Sequence, residues 1–166
     1  MRVFVDPAPN AVGSVSRVST LSAIPAELTI LPQWVCWHYE ERDGQPTKPP
    51  INPRSNGKLL YARSNDPTTW ADFTTAVAAV DRLNLQGQGL CLSESDGLTG
   101  LDLDHVFDPT TGELAPLAAE VLEQFAGTYA EISPSGTGIR IWCYGKPQRS
   151  GKCTGKLKWL EVYSYP

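Results

Sequence analysis

The sequence lacks the features of a membrane-spanning or secreted protein. No apolar run approaches the roughly 18–20 residues that a helix needs to cross a bilayer. The N-terminus has one arginine and no apolar stretch behind it, so it does not read as a secretory signal. The four cysteines, Cys36, Cys91, Cys143 and Cys153, contain no C-x-x-C spacing, which argues against both a zinc site and a disulfide framework. Three of them lie inside apolar runs and read as buried free thiols of a reducing compartment, so a cytoplasmic protein is expected. An excess of positive charge is missing too. Lys and Arg number 14 against 18 Asp and Glu, a formal charge of −4, so any nucleic-acid contact must come from a local patch. The 166 residues are about one domain's worth, enough for a full hydrophobic core.

Residues 1–23 show no sustained period and read as a flexible leader, with a short strand at Arg2–Val5; the folded domain is expected over 24–166. Pro25 opens one helical turn that Pro32 ends. Trp34 to Tyr39 is aromatic and β-rich, the first core strand, and Asp43-Gly44 is a turn. Lys48 to Arg54 holds too many prolines for a central strand and reads as an irregular or edge stretch displaying Lys48 and Arg54. Asp66-Pro67 looks like a capped helix start, with Trp70, Phe73, Val77 and Val80 at helical spacing on a core face as far as Leu83. Leu90–Ser93 and Leu98–Asp104 follow as two strands joined in a hairpin. A second helix over 115–125 has Leu117, Val121, Leu122 and Phe125 on one side, and Gly127 stops it.

The informative stretch is Gly100-Leu101-Asp102-Leu103-Asp104-His105. In an extended chain it turns Leu101 and Leu103 into a core and Asp102 and Asp104 to the opposite face. Two acids side by side suit an oxygen-seeking cation such as Mg²⁺ or Mn²⁺, or else are solvated charges on an exposed strand. Ser133-Pro134-Ser135-Gly136-Thr137-Gly138 is a turn between strands. Its glycines free backbone N–H groups to curl round an anion, and its hydroxyls add donors; an ordinary Ser-Gly hairpin turn is the alternative. In the strand that follows, Arg140 falls on the face away from Ile139 and Ile141. Between Gly145 and Lys158 lie Lys146, Arg149, Lys152, Lys156 and Lys158 with no acid. This mobile, Gly-rich segment suits a phosphate backbone or is a solvated basic loop. Glu161 then sits opposite Leu160 and Val162 in a last strand. If these strands are neighbours, three carboxylates and an arginine meet beside a Gly-rich turn, the equipment of two-metal nucleotidyl transfer.

Taken in order, Leu31 to Trp37, Lys48 to Pro53, Asp66-Pro67 to Trp70, Gly100 to His105, Glu131 to Trp142 and Glu161-Val162-Tyr163 resemble the N-terminal primase–polymerase domain of phage and plasmid replication proteins, within the archaeo-eukaryotic primase superfamily. The resemblance implies an α/β (α+β) fold, a mixed or antiparallel RRM-like sheet with flanking helices. It implies that Asp102, Asp104 and Glu161 bind two divalent ions, Mg²⁺ or Mn²⁺. It also implies that Ser133, Ser135, Gly136, Gly138 and Arg140 bind the incoming triphosphate. Lys48, Arg54, Arg63, Lys146, Arg149 and Lys152 are weaker expectations for contact with nucleic acid or nucleotide. Expected partners are nucleoside triphosphates, a single-stranded DNA template with primer, and a helicase or other replication protein supplied in trans; no membrane is expected. Relatives often carry histidine where this chain has Arg140, which keeps the positive charge but does not titrate near neutral pH. They also continue past the third acid, whereas this chain stops five residues after Glu161. It therefore reads as truncated at the C-terminus, with no closing strand and Glu161 on an edge. Two functions stay open: a DNA primase/polymerase, or a truncated module that binds nucleotide or single-stranded DNA without turnover.

Overall fold

A computed structural model describes residues 2–5 and 24–165. They divide into two compact units, one combining residues 2–5 with 24–93 and the other starting at Glu94. Of the leader expected over residues 1–23, Arg2–Val5 forms the strand read there, and the rest lies outside the described residues. Among the described residues no helix is long and apolar enough to cross a membrane.

The first unit contains β1 (Arg2–Val5), α1 (Ala26–Thr29), β2 (Trp34–Trp37), β3 (Glu40–Arg42), β4 (Gln45–Thr47), β5 (Pro50–Ile51), α2 (Phe73–Leu83) and β6 (Gly87–Cys91). Four strands pair antiparallel in the order β1-β6-β2-β5. Proline-bearing β5 takes an edge, as its missing N–H requires. β3 and β4 pair by themselves around Asp43-Gly44, both with positive φ. α2 lies against β2 and β6, where Phe73 meets the edge of the Trp34 ring at 4.8 Å. Gly87 stands opposite Trp37, and a Cβ there would lie 2.9 Å from the indole nitrogen, so the ring needs that bare position.

Three expectations change here. The helix expected from Pro67 is interrupted: Asp66 caps a 3₁₀ turn over Pro67–Thr69, Ala71 pairs with Trp34, and Asp72 then caps α2 by accepting from the Thr75 N–H at 2.8 Å. The core face of α2 is Ala76 and Ala79 rather than Val77, which is exposed; small residues let the helix approach the sheet closely. The expected hairpin does not form either. β6 belongs to the first sheet, while Leu98–Leu103 belongs to the second.

The second unit contains β7 (Leu98–Leu103), α3 (Pro116–Gln124), β8 (Tyr129–Ile132), β9 (Ile139–Tyr144), β10 (Gly151–Lys152) and β11 (Leu160–Ser164). All neighbours are antiparallel, in the order β10-β11-β7-β9-β8. Counting β7, β8, β9 and β11 as strands one to four gives 4-1-3-2, the arrangement of an RRM-like β-α-β-β-α-β unit. One face is apolar: Leu101, Leu103, Ile139, Ile141 and Leu160 are buried with Ala118 of α3, and Val121, Leu122 and Phe125 pack around them. Leu117, expected on that side, is exposed.

Two further corrections concern the C-terminal third. Glu161 is not on an edge, because β10 pairs outside β11 and supplies the closing strand. The basic segment stands where the second crossover helix of the 4-1-3-2 pattern would lie, and it is anchored rather than loose. The Gly145 N–H donates to Gly97 at 2.9 Å, Thr99 Oγ1 donates to the Gly145 carbonyl at 2.5 Å, the Ser150 and Ser164 hydroxyls meet at 2.6 Å, and the Cys153 N–H donates to Leu160 at 2.9 Å.

Candidate functional site

Alternation along β7 follows directly from its sequence. Leucines at 101 and 103 enter the core, so Asp102 and Asp104 take the other face. Register then aligns five charged residues across the sheet. Lys152 stands opposite Glu161, Glu161 opposite Asp102, Asp102 opposite Arg140, and Arg140 opposite Glu131. Directly paired residues share a face, with Cβ atoms about 5 Å apart. Asp104 lies just past the end of β7, its N–H held by the Trp159 carbonyl at 2.8 Å.

From Asp102 to Glu131 this row is not a solvated surface. Glu131 is 3% exposed, and the Arg140 and Asp102 side chains are 9% and 19% exposed. Arg140 Nε lies 3.5 Å from Asp102 Oδ1, an ion pair longer than a direct N–H···O bond. Burial pushes the Asp102 carboxyl above its usual range. Arg140 opposes that shift, and the Asp104 and Glu161 charges add to it. On β8, the Tyr129 hydroxyl donates to Glu131 Oε2 at 3.0 Å, and burial followed by that charge pushes the phenol up. The next row carries Tyr163, Gly100, Trp142 and Tyr129. Burial, then the neighbouring Glu161, raises the Tyr163 phenol.

The Ser133–Gly138 turn lies at the end of β9, beside the acids. The Gly136 N–H donates to the Ser133 carbonyl at 2.8 Å, and the Gly138 N–H donates to Ser133 Oγ at 3.2 Å. These two N–H groups therefore bond within the turn. The turn's remaining polar equipment is a chain of hydroxyls. Ser133 Oγ meets Ser135 Oγ at 2.8 Å, Ser135 meets Thr137 Oγ1 at 3.2 Å, and Thr137 reaches His105 Nδ1 at 3.4 Å. Gly138 is glycine for space: a Cβ there would lie 2.8 Å from both the Leu103 carbonyl and Ser133 Oγ. The Val106 and Phe107 N–H groups both donate to the Thr137 carbonyl at 2.9 Å, which ties this turn to the end of β7.

Asp102, Glu161 and Arg140 thus lie on three adjacent strands, with Asp104 and the turn next to them. Lys152 joins their row, while Lys146 and Arg149 are exposed in the segment before it. Lys48, Arg54 and Arg63 belong to the first unit. Lys48 lies over the Trp37 and Tyr39 rings at 5.5 and 5.2 Å, and Arg54 donates to the Trp70 carbonyl. Arg63 is exposed, with its backbone carbonyl accepting from the Trp70 indole at 2.7 Å. Sequence reasoning gave no role to Glu131, Tyr129, Tyr163 or His105. The period-two alternation that exposed Arg140 would also have placed Glu131 on the charged face of its own strand.

Three carboxylates with no sulfur or nitrogen among them are a donor set suited to Mg²⁺ or Mn²⁺. Glu161 opposite Asp102 is a like-charge pair that a cation would relieve. Among the described residues, however, no three His, Cys, Asp or Glu side chains are gathered into a group that could hold an ion. The acids share a row and a face rather than a cage.

No family model matches the chain. It is similar to a DNA primase-polymerase of Nitratiruptor phage NrS-1, with 41% identity over 114 residues. That match covers 69% of this chain and 15% of the phage protein, so the chain spans a small part of its relative's length. Identity at this level across more than two thirds of the chain reflects common descent, and the antiparallel sheet with its flanking helix agrees with it: this chain carries a domain of the primase–polymerase family.

Proposed function

We propose that this chain is the catalytic domain of a phage or plasmid DNA primase/polymerase and joins nucleotides on a single-stranded DNA template. The carrying observation is the register that sets Asp102 between Glu161 and Arg140 on a 4-1-3-2 sheet, in a chain 41% identical to part of a phage primase-polymerase. Asp102, Asp104 and Glu161 would hold two divalent cations, Mg²⁺ or Mn²⁺, which when bound stabilise charge on the transferred phosphate. Closing the acids on a cation asks for side-chain rotation, since the strands already set Asp102 and Glu161 opposite each other.

The remaining roles fall to this chain's own groups. With Ser135 and Thr137, Arg140 would hold the triphosphate of the incoming nucleotide. In the reaction the primer 3′ oxygen bonds to the α-phosphorus, the bond from that phosphorus to its bridging oxygen breaks, pyrophosphate leaves, and the hydroxyl proton passes to solvent. Lys146, Arg149 and Lys152 would meet the nucleic-acid backbone. A helicase or another replication activity would act alongside.

A second reading, binding of nucleotide or single-stranded DNA without turnover, is favoured by one observation: the acids do not form a closed group. Extension of a labelled primer with Mn²⁺ and each class of nucleotide separates the two. The first expects elongation that Asp102→Ala and Asp104→Ala abolish. Persistent binding with no elongation by the unaltered protein supports the second.

A further inference from the structure

The five cations of the basic segment differ in one respect. Lys152 is the one that strand register fixes against the acids. Its neighbour Gly151 pairs with Val162, and both Val162 and Cys153 pack on the apolar face, so Lys152 projects onto the charged face opposite Glu161. The strand is held at both ends, by the Ser150–Ser164 hydroxyl contact and by the Cys153 N–H on Leu160. Lys152 is exposed, whereas Arg140, at the other end of the two acids, is buried.

From Lys152 to Arg140 the row reads cation, acid, acid, cation, with Glu131 beyond Arg140 as a further acid; at about 4.8 Å per strand, Lys152 stands about 10 Å from Asp102. A reaction that joins a nucleotide to a strand brings two phosphate-bearing molecules to the same acids. A nucleotide fits a fixed position, which describes Arg140 on an inner strand beside the hydroxyl turn. A polymer needs an open side by which to enter and move on, which describes the β10 edge. Lysine suits that edge: it is a compact charge on a flexible stem that follows a backbone without demanding one bidentate geometry.

We propose that Lys152 binds the phosphate backbone of the primer strand next to its 3′ end, dividing the row into a nucleotide side at Arg140 and a strand side at Lys152. The assignment of sides rests on the function proposed above. Binding measurements test it without turnover, so absent elongation would count against that function while leaving this test readable.

Fluorescence anisotropy with a recessed primer–template is the assay, run across a salt series on the full chain. Lys152→Ala should weaken binding about tenfold and lower the salt slope by about one unit. Lys156→Ala, in the same segment but outside the strand register, should change affinity by less than about twofold. Lys152→Arg should restore most of the lost affinity, and calorimetry should show nucleoside triphosphate affinity unchanged in Lys152→Ala. Equal losses in Lys152→Ala and Lys156→Ala would make the segment a diffuse basic surface and overturn the proposal. So would a loss of triphosphate affinity in Lys152→Ala with primer–template binding intact.

Discussion

In the first unit each buried indole finds a carbonyl: Trp34 donates to Leu28 at 3.2 Å, Trp37 to Gln88 at 3.2 Å, and Trp70 to Arg63 at 2.7 Å. Buried Gln33 is bonded at both ends of its amide, to the Cys91 carbonyl and the Ser93 hydroxyl. In the second unit the Trp142 indole N–H is buried with no hydrogen-bond partner among the described residues, beside a row of charges that includes two acids set opposite each other. An unsatisfied buried donor costs about 1–3 kcal/mol, and directly opposed like charges are destabilising. The first unit is arranged as a protein settles its interior when nothing else is asked of it. The second carries unfavourable terms confined to one face of one sheet, while its other face is an ordinary apolar core. The proposed function gives those groups a ligand to serve.

The contrast can be broken most sharply at the acids. Asp102→Ala, Asp104→Ala and Glu161→Ala should each lower primer extension about 10³-fold or more, equivalent to about 4 kcal/mol of transition-state stabilisation. Asp102→Asn should do the same while raising the melting temperature. The sign follows from the raised Asp102 pKa: the folded state holds that proton more tightly than the unfolded chain, so wild-type stability falls as pH rises through the window. The advantage of Asn over Asp should therefore be full at neutral pH and vanish in acid, where both forms are neutral. A melting temperature that drops at neutral pH would show that the Arg140 pair outweighs burial.

Next in size is Gly138→Ala. Its methyl group would press on the Leu103 carbonyl, which cannot swing away, and overpacking of this kind costs about 1–3 kcal/mol; denaturant unfolding measures it. A matched pair of substitutions then compares the units directly. Trp34→Phe loses an indole bond along with packing, whereas Trp142→Phe removes a donor with nothing to donate to. Trp34→Phe should be the more destabilising by about 1 kcal/mol, and equal losses would erase the comparison. Smallest is Asp72→Ala, which removes the cap of α2 for about 1 kcal/mol. Hydroxyl and backbone bonds from Thr74 and Thr75 hold the Asp72 carboxyl below its usual range, so this contribution is present at neutral pH and lost as pH falls through the acid range.

Local pattern was enough to expose the site's strands. Leu101 and Leu103 against Asp102 and Asp104, and Ile139 and Ile141 against Arg140, declare their faces by alternation alone. The partners of those strands were less legible. Nothing between Ser93 and Leu98 says that β6 and β7 join different sheets, because strand pairing is decided by contacts distant in the chain. The displaced start of α2 had a similar origin: Asp66 and Asp72 can both cap, and the helix begins at the second because Ala71 pairs with Trp34. In the helices, Val77 and Leu117 were placed inside by their hydrophobicity, yet the alanines at 76, 79 and 118 are the buried ones. Closeness of packing, which a periodicity argument ignores, made that selection. β10 left almost no trace, since two residues inside a Gly-rich basic run carry no strand signature.

That two-residue strand has a consequence for the molecule in crowded solution. The outer rim of a sheet offers unpaired amides and carbonyls on which another polypeptide can add itself, and long flat rims seed aggregates. On the β10 side the rim is two residues long, one of them a lysine, with glycine at the other. It is too short to template a further strand, and its ammonium group repels a second copy arriving in the same orientation.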